Sequence, residues 1–384
     1  MLGGAMKILV VGAGIGGLAL AALARQRGTT VTLIERAADF DHAGYMLTLY
    51  PIGSRILHGL GLHAEFVRRS AEFKFYDVHD GHGALLQRFD MAPLGERFGY
   101  FGQIVRRDLL DLLRSAAPEV PLRWNVSVSS LEKRGQKMVA RLSDGSEDEW
   151  DAVIAADGIH SQTRRLVFGE EPDNETGWGL WVWWTNQAGL PRDTVSEYWG
   201  RGRFVGVYPT AGRIGAVAAA PKTLLNEHAL NGDGARVRAL FSEVGGGGAQ
   251  VMGTFPDSTE NLFFWNLSDY RSREWTRGRF ALLGDSACAF LPTAGVGASM
   301  ALESAAVMAE ELSRTDAKFL PHAFALYEKR RKARAEAAQN DARKLAAWLA
   351  TESAAIAWTR DQFLKVSSID SLAGHIEKSL AEPL

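Results

Sequence analysis

Four aliphatic residues, Ile8-Leu9-Val10-Val11, run directly into Gly12-Ala13-Gly14-Ile15-Gly16-Gly17, and no other junction in the chain restricts its fold as tightly. An unbroken apolar run of that length suits a strand buried on both faces. Ile15 to Arg27, rich in Leu and Ala, predicts a helix closed by Gly28, and the β-branched stretch from Thr30 to Ile34 predicts a second strand. In such a unit the backbone N–H groups of Gly12, Gly14, Ile15, Gly16 and Gly17 can approach a pyrophosphate, helped by the partial positive charge of the helix start. Glu35 ends the second strand, where a carboxylate can accept hydrogen bonds from both hydroxyls of a ribose and disfavours a 2′-phosphate. Arg36 beside it joins the candidate cofactor contacts. A dinucleotide is expected here, and this unit alone leaves FAD and NAD both open.

Two later segments share the same design. Ala152 to Ala156 is an apolar strand ending in Asp157-Gly158, followed by Ser161, Arg164 and Arg165. Phe280 to Leu283 is another, ending in Gly284-Asp285 and leading through Pro292-Thr293-Ala294-Gly295-Val296-Gly297-Ala298 into a helix from about Ser299 to Leu312. Three apolar strands thus deliver glycine and an acidic or phosphate-seeking group at their C-terminal ends, where open α/β sheets bind ligands. One extended cofactor would touch all three.

The remaining composition narrows the partners. Acidic and basic residues nearly cancel, 45 against 43, so no net field draws the chain to nucleic acid or anionic lipid, and a small molecule is the expected partner. Cys288 is the only cysteine, which excludes an intramolecular disulfide and fits a reducing, cytoplasmic compartment. A small buried residue is the preferred reading of it over a redox or nucleophilic thiol. Gly12, Gly14, Gly16 and Gly17 interrupt the apolar stretch Ile8 to Ala24, so it reads as strand and helix, with neither a leader nor a membrane span. His79 and His82 straddle a turn without further ligands, and no metal is expected.

Taken in order, these motifs resemble the group A flavoprotein monooxygenases, the family that includes 4-hydroxybenzoate and salicylate hydroxylases. The resemblance runs from Met6 to about Ala337. It includes Ala156 to Arg164 as Ala-Asp-Gly-x-x-Ser-x-x-Arg, Gly284-Asp285, the Arg-x-x-Leu helix start at Arg106, and Tyr327 to Arg331. It implies an α/β fold, a Rossmann-like FAD-binding domain with an interleaved, mainly antiparallel β-sheet substrate domain and C-terminal helices. The expected division is 6–72, 98–170 and 275–312 for FAD, 73–97 and 171–274 for substrate, and 313–384 for the helical region. It further implies Glu35 on the adenosine ribose, Arg106 and Asp157 near the pyrophosphate, Asp285 on the ribityl chain, and Gly158, Arg164, Gly284, Pro292, Gly295, Val296, Gly297 and Ala298 around the cofactor. Two positions depart from the family: Cys288 stands where His is frequent, and Val296 where Gln is frequent.

By the same resemblance, NADH or NADPH visits as a transient co-substrate and reduces FAD, O2 adds at C4a to give a hydroperoxide, and one oxygen passes to a small aromatic or flat heteroaromatic substrate. The protein would work as a monomer or homodimer. Backbone N–H groups of Gly295 to Ala298, at a helix start, can favour the anionic reduced flavin. No second nucleotide unit follows, and Gly245 to Gly248 reads as a flexible loop.

The substrate side is less defined. Phe73 to Val78 and Gly83 to Phe89 flank an Asp80-Gly81 turn and predict a hairpin. Trp178, Trp181, Trp183 and Trp184 crowd one stretch; alternation puts Trp181 and Trp183 on one face and Val182 and Trp184 on the other. Trp181, Trp183, Tyr208 and Pro292 are the expected pocket residues. Arg203 is a candidate to attract an anionic substrate, and Tyr208 to orient or help deprotonate one. Lys329 to Arg334 predicts a solvated helix face, while Leu345, Trp348 and Leu349 share a face expected to pack on the FAD domain. Residues from about Thr351 are candidates to cap the pocket or to form an oligomer interface. Rival readings are a flavin-dependent halogenase, whose Trp-x-Trp-x-Ile-Pro signature is incomplete at Trp181 to Asn186, a prenyl-chain reductase, and a non-catalytic flavin-binding sensor.

Overall fold

A computed structural model describes residues 6–40, 44–187, 189–224, 232–260, 262–368 and 374. The aliphatic runs form the centre of a six-stranded sheet, ordered Thr276–Arg277, Phe280–Leu282, Ala152–Ala155, Ile8–Val11, Val31–Ile34 and Leu122–Arg123. The last five strands run parallel and Thr276–Arg277 runs antiparallel. Parallel neighbours need crossovers on the sheet faces, which explains why Ile8–Val11 and Ala152–Ala155 are buried at every position. The helix Ile15–Gln26 packs on the helix Gly297–Ser313, which in turn supports the long helix Leu320–Leu349.

The second sheet has eight strands, ordered Cys288–Ala289, Phe263–Arg271, Asn174–Thr185, Ile214–Pro221, Phe204–Pro209, Thr194–Trp199, Phe75–Asp80 and Leu85–Asp90. All its pairings are antiparallel except Thr194–Trp199 beside Phe75–Asp80, and the last two strands are the expected hairpin. A three-stranded sheet, Val128–Arg134, Lys137–Leu142 and Glu147–Trp150, completes the main β structure. No helix among the described residues is long and apolar enough to cross a membrane. Those residues also contain no cluster of three or more potential metal ligands.

Three sequence expectations are corrected here. The Gly245–Gly248 run is no flexible loop: a helix spans Gly246–Met252, and side chains at Gly245 and Gly247 would collide with the His82 carbonyl and the Tyr198 hydroxyl. Those glycines let the helix sit tightly against the sheet. The basic block is not a solvated face either, because Arg331 is buried on Glu303 at 3.0 Å and Arg334 reaches the same carboxylate at 2.9 Å. Arg330 pairs with Glu310 and Glu311. These pairs bind Leu320–Leu349 to Gly297–Ser313. Finally, Leu345 and Leu349 pack with Phe73, Trp199 and Leu364 on the eight-stranded sheet, away from the FAD-side core, and Trp348 sits against Phe363 at 5.3 Å.

Candidate active site

The strand ends of the first sheet and one face of the second enclose a cavity of about 1950 Å³. Sites for one drug-sized ligand measure roughly 300–1,000 Å³, so there is room here for more than one molecule. At the first end lie Gly14, Ile15 and Gly16, then Ala156 and Gly158, then Leu283, Gly284 and Asp285. All three strand–glycine junctions meet in one place.

The glycines divide their work. Gly12 has φ +105°, and a side chain there would strike the Ala156 carbonyl of the neighbouring strand; one on Gly17 would strike the carbonyl of Gly12 itself. These two allow the helix to leave the sheet. A Cβ on Gly14 meets nothing within 4 Å, so the space beside it belongs to the cavity. That open cradle at the helix start is the geometry an anionic pyrophosphate requires. Gly295 is left-handed at φ 63° and its N–H donates to Pro292 O at 3.0 Å, and Val296, Gly297 and Ala298, at the start of the next helix, line the cavity.

Of the expected charged contacts, Arg106 and Asp285 line the cavity, whereas Glu35, Arg36, Asp157 and Arg164 do not. Glu35 accepts the Ala13 N–H at 2.7 Å and the Ala37 N–H at 2.9 Å, pinning the glycine turn to the second strand and leaving lone pairs on both oxygens. Arg36 is exposed. Asp157 is spent on the protein: it accepts from Ser161 Oγ at 2.5 Å and from the Thr163 N–H and hydroxyl at 3.1 and 2.9 Å. Arg164 is buried, donates to Ser286 O and Ile159 O, and stacks on the Tyr270 ring at 3.6 Å. The Asp-Gly-x-x-Ser-x-x-Arg motif therefore builds the turn that presents Gly158, and its Asp157 and Arg164 side chains bond within the protein. Asp285 lines the cavity; burial there pushes it up to about 6, partly opposed by Arg106. Cys288 is buried, and burial pushes its thiol up to about 12, so it is an inert core residue.

The second end is walled by aromatic and aliphatic side chains: Trp178, Leu180, Val182, Phe204, Phe263 and Trp265. Trp181 and Trp183, expected in the pocket, are on the reverse of the same strand. They pack on Phe255 at 6.1 and 4.9 Å, under the helices Gly234–Leu240 and Gly246–Met252. With the glycine run read as a loop, this second cover was invisible and the denser tryptophan face looked like the cavity side. Pro292 does line the cavity. Arg203 does not; it donates to Leu240 O and Arg201 O on the reverse side.

Tyr208 is in the cavity, and the residue that organises it was missed in the sequence. Tyr208 donates to Glu197 Oε1 at 2.7 Å, while Tyr76 at 2.7 Å and Trp199 Nε1 at 2.9 Å donate to Glu197 Oε2. Glu197 stands between Ser196 and Tyr198, and its place on the Val195–Trp199 face of the strand was the one available signal. Gly206 makes the arrangement possible, since a Cβ there would lie 2.5 Å from the Tyr208 ring. Burial raises the Glu197 carboxyl above its ordinary range, partly offset by hydrogen bonds from Tyr76, Tyr208 and Trp199. Burial likewise lifts Tyr76 and Tyr208 and pushes Tyr50 up to about 12, each further raised by the Glu197 charge. At neutral pH the phenols are donors.

Fold and cavity together define a dinucleotide-binding flavoprotein with an adjoining apolar chamber. The sequence profile of the FAD binding domain family matches residues 5–342. A 6-hydroxynicotinate 3-monooxygenase of Pseudomonas fluorescens is 30% identical over 350 residues, covering 87% of this chain and 89% of that one. A 3-amino-4-hydroxybenzoate 2-monooxygenase of Streptomyces cremeus is 31% identical over 313 residues, covering 78% and 76%. Among solved structures, Klebsiella pneumoniae HpxO complexed with FAD and uric acid superposes with a TM-score of 0.89 at 24% identity, covering 100% and 98%. The chain belongs to the FAD binding domain family and, within it, to the group A FAD-dependent aromatic monooxygenases.

Proposed function

We propose that this cytoplasmic enzyme uses NADH or NADPH and O2 to hydroxylate a small, flat aromatic or heteroaromatic compound bound in the chamber at Glu197. The observation that carries the proposal is a single polar cluster, Glu197 with Tyr76 and Tyr208, set in an aromatic-walled cavity continuous with the FAD cleft. FAD held here would supply the redox chemistry, hydride acceptance from a nicotinamide and activation of dioxygen.

The chain's own residues do the rest. Backbone N–H groups at Gly14 to Gly16, with Gly158, would cradle the pyrophosphate, and the remaining lone pairs of Glu35 would accept from the adenosine ribose. Arg106 would face the diphosphate from across the cavity, and Asp285 would accept from the ribityl hydroxyls. Donors at Val296 to Ala298 would offer fixed positive potential to the flavin ring. Trp178, Phe263 and Trp265 would hold a flat ring and exclude water, and Tyr208 would orient the substrate hydroxyl or amine while passing its proton towards Glu197. The relatives named for hydroxynicotinate and aminohydroxybenzoate oxidation support a flat aromatic as the substrate shape.

The test is NADH and NADPH consumption by the purified yellow protein across phenols, anilines, indoles and fused heterocycles, with products read by mass. Stimulated consumption with a product heavier by one oxygen is the expected result. Consumption that no compound stimulates, in a protein whose FAD is bound and reducible, would contradict it.

A further inference from the structure

We infer that the substrate presents a hydrogen-bond donor, an amine, a ring N–H or a phenol O–H, to the Glu197–Tyr208 pair, and that matched aromatic carboxylates are rejected. This rests on the hydroxylase reading and narrows its substrate class.

The direction of the hydrogen bonds is the first argument. Tyr76 and Trp199 occupy Glu197 Oε2 and Tyr208 occupies Oε1. A carboxylate offers about four acceptor sites, so Oε1 keeps a free lone pair. Because both phenols direct their protons at Glu197, their oxygens are left with lone pairs as well. The cluster of Glu197, Tyr76 and Tyr208 therefore accepts hydrogen bonds and has no proton left to give.

Charge is the second argument. Burial and three neutral donors set the environment of Glu197, with no cation among them. Arg203 is turned to the reverse of the sheet, and Arg213 is stacked on Trp184 at 3.7 Å. Arg360 lies behind Trp199, donating to the Trp199 and Trp348 carbonyls and pairing with Asp361. Of the other cations that line the cavity, Arg343 is held by Asp269 at 2.6 Å, Arg330 by Glu310 and Glu311, Arg334 by Glu303 and Lys344 by Asp341. Arg106 belongs to the FAD end, over the Tyr45 ring and close enough to Asp285 to act on its charge. A second carboxylate brought to Glu197 would lose its water among apolar walls and meet a like charge in exchange. An amine or N–H compound loses far less, because the accepting site is already in place. On this point the chain departs from its relatives named for nicotinate and benzoate compounds.

The experiment is a titration of the FAD-loaded protein with matched pairs, aminophenol against hydroxybenzoate and indole against indole carboxylate, followed by the shift of the flavin visible spectrum. Product formation is measured in parallel. The donor member of each pair should bind roughly ten- to a hundredfold more tightly, the worth of one hydrogen bond to a charged group. Glu197→Gln should retain FAD and shrink that gap to about threefold or less, and Tyr208→Phe should weaken the donor compounds alone. Carboxylates binding as well as their partners, a gap unchanged in Glu197→Gln, or no binding by either member would each overturn the inference. Donor compounds that bind selectively but yield no oxygenated product would uphold it and count against the hydroxylase reading alone.

Discussion

The two ends of the cavity are built from different materials. The FAD end is backbone: glycine turns, helix starts and strand ends, with Asp157, Arg164 and Glu35 turned inward to hold those turns in shape. The substrate end is side chain: an aromatic wall around Glu197, Tyr76 and Tyr208. A backbone site tolerates few residues, because its contacts require the absence of a side chain. A side-chain site tolerates many, since any strand of the right alternation can carry it. The cofactor end therefore reads as a motif, and the substrate end reads only as a pattern.

Substitutions should separate the two ends, and glycines of the first give the largest effect. Gly17→Ala sets a methyl against the Gly12 carbonyl, and is expected to yield little folded, yellow protein. Gly14→Ala points into open cavity, so it should leave the melting temperature almost unchanged while weakening FAD retention about tenfold or more, measured by flavin release on dialysis. Equal melting losses in both would undo the division of labour among the glycines.

Next in size is the ion cluster that supports the wall behind the FAD end. Removing the carboxylate in Glu303→Ala leaves the buried Arg331 and its neighbour Arg334 without it, and should cost about 3–5 kcal/mol in denaturant unfolding.

A tryptophan pair sharpens the contrast within the second sheet. Trp183→Ala opens a hole under the covering helices and should cost about 3–5 kcal/mol of stability, with ligand affinity unchanged in the protein that remains folded. Trp265→Ala should do the reverse, costing little stability and weakening aromatic ligands roughly tenfold, read from the flavin spectrum. Ligand loss in both would place the reverse face in contact with the chamber.

The smallest expected effect is a pH dependence at Asp285. Its folded-state value of about 6 lies above the ordinary 3.8, so the folded apoprotein holds the proton longer than the unfolded chain does. Its contribution is therefore most favourable at low pH and declines as pH rises from about 4 through 6. Asp285→Asn should flatten that part of the apoprotein's melting curve against pH. An unchanged decline would assign it to another group.

Much of the first sheet was legible because a buried parallel strand followed by glycine has few other meanings. The cavity-lining positions at Gly14 to Gly16, Gly158, Gly284 and Asp285 follow from the same junctions. Sequence spacing cannot tell a side chain that touches a ligand from one that braces the turn beside it, and Asp157 and Arg164 do brace that turn. Arg203 and the Trp181–Trp183 face misled for another reason: alternation assigns residues to two faces without saying what covers each. The helix Gly246–Met252, hidden in a glycine run, was the missing cover. Glu197 was overlooked because one acid beside Ser196 in a short strand reads as a surface residue until Tyr76 arrives from a strand more than a hundred positions earlier.

The central claim is that one atom of dioxygen ends up on an aromatic ring held in this chamber. Turnover of a donor-bearing substrate under isotopically heavy dioxygen, with the product read by mass, tests it most directly. The account predicts one heavy oxygen atom in each product molecule and none taken from water. Product whose oxygen derives from water, or a reduced or halogenated product without added oxygen, would contradict it.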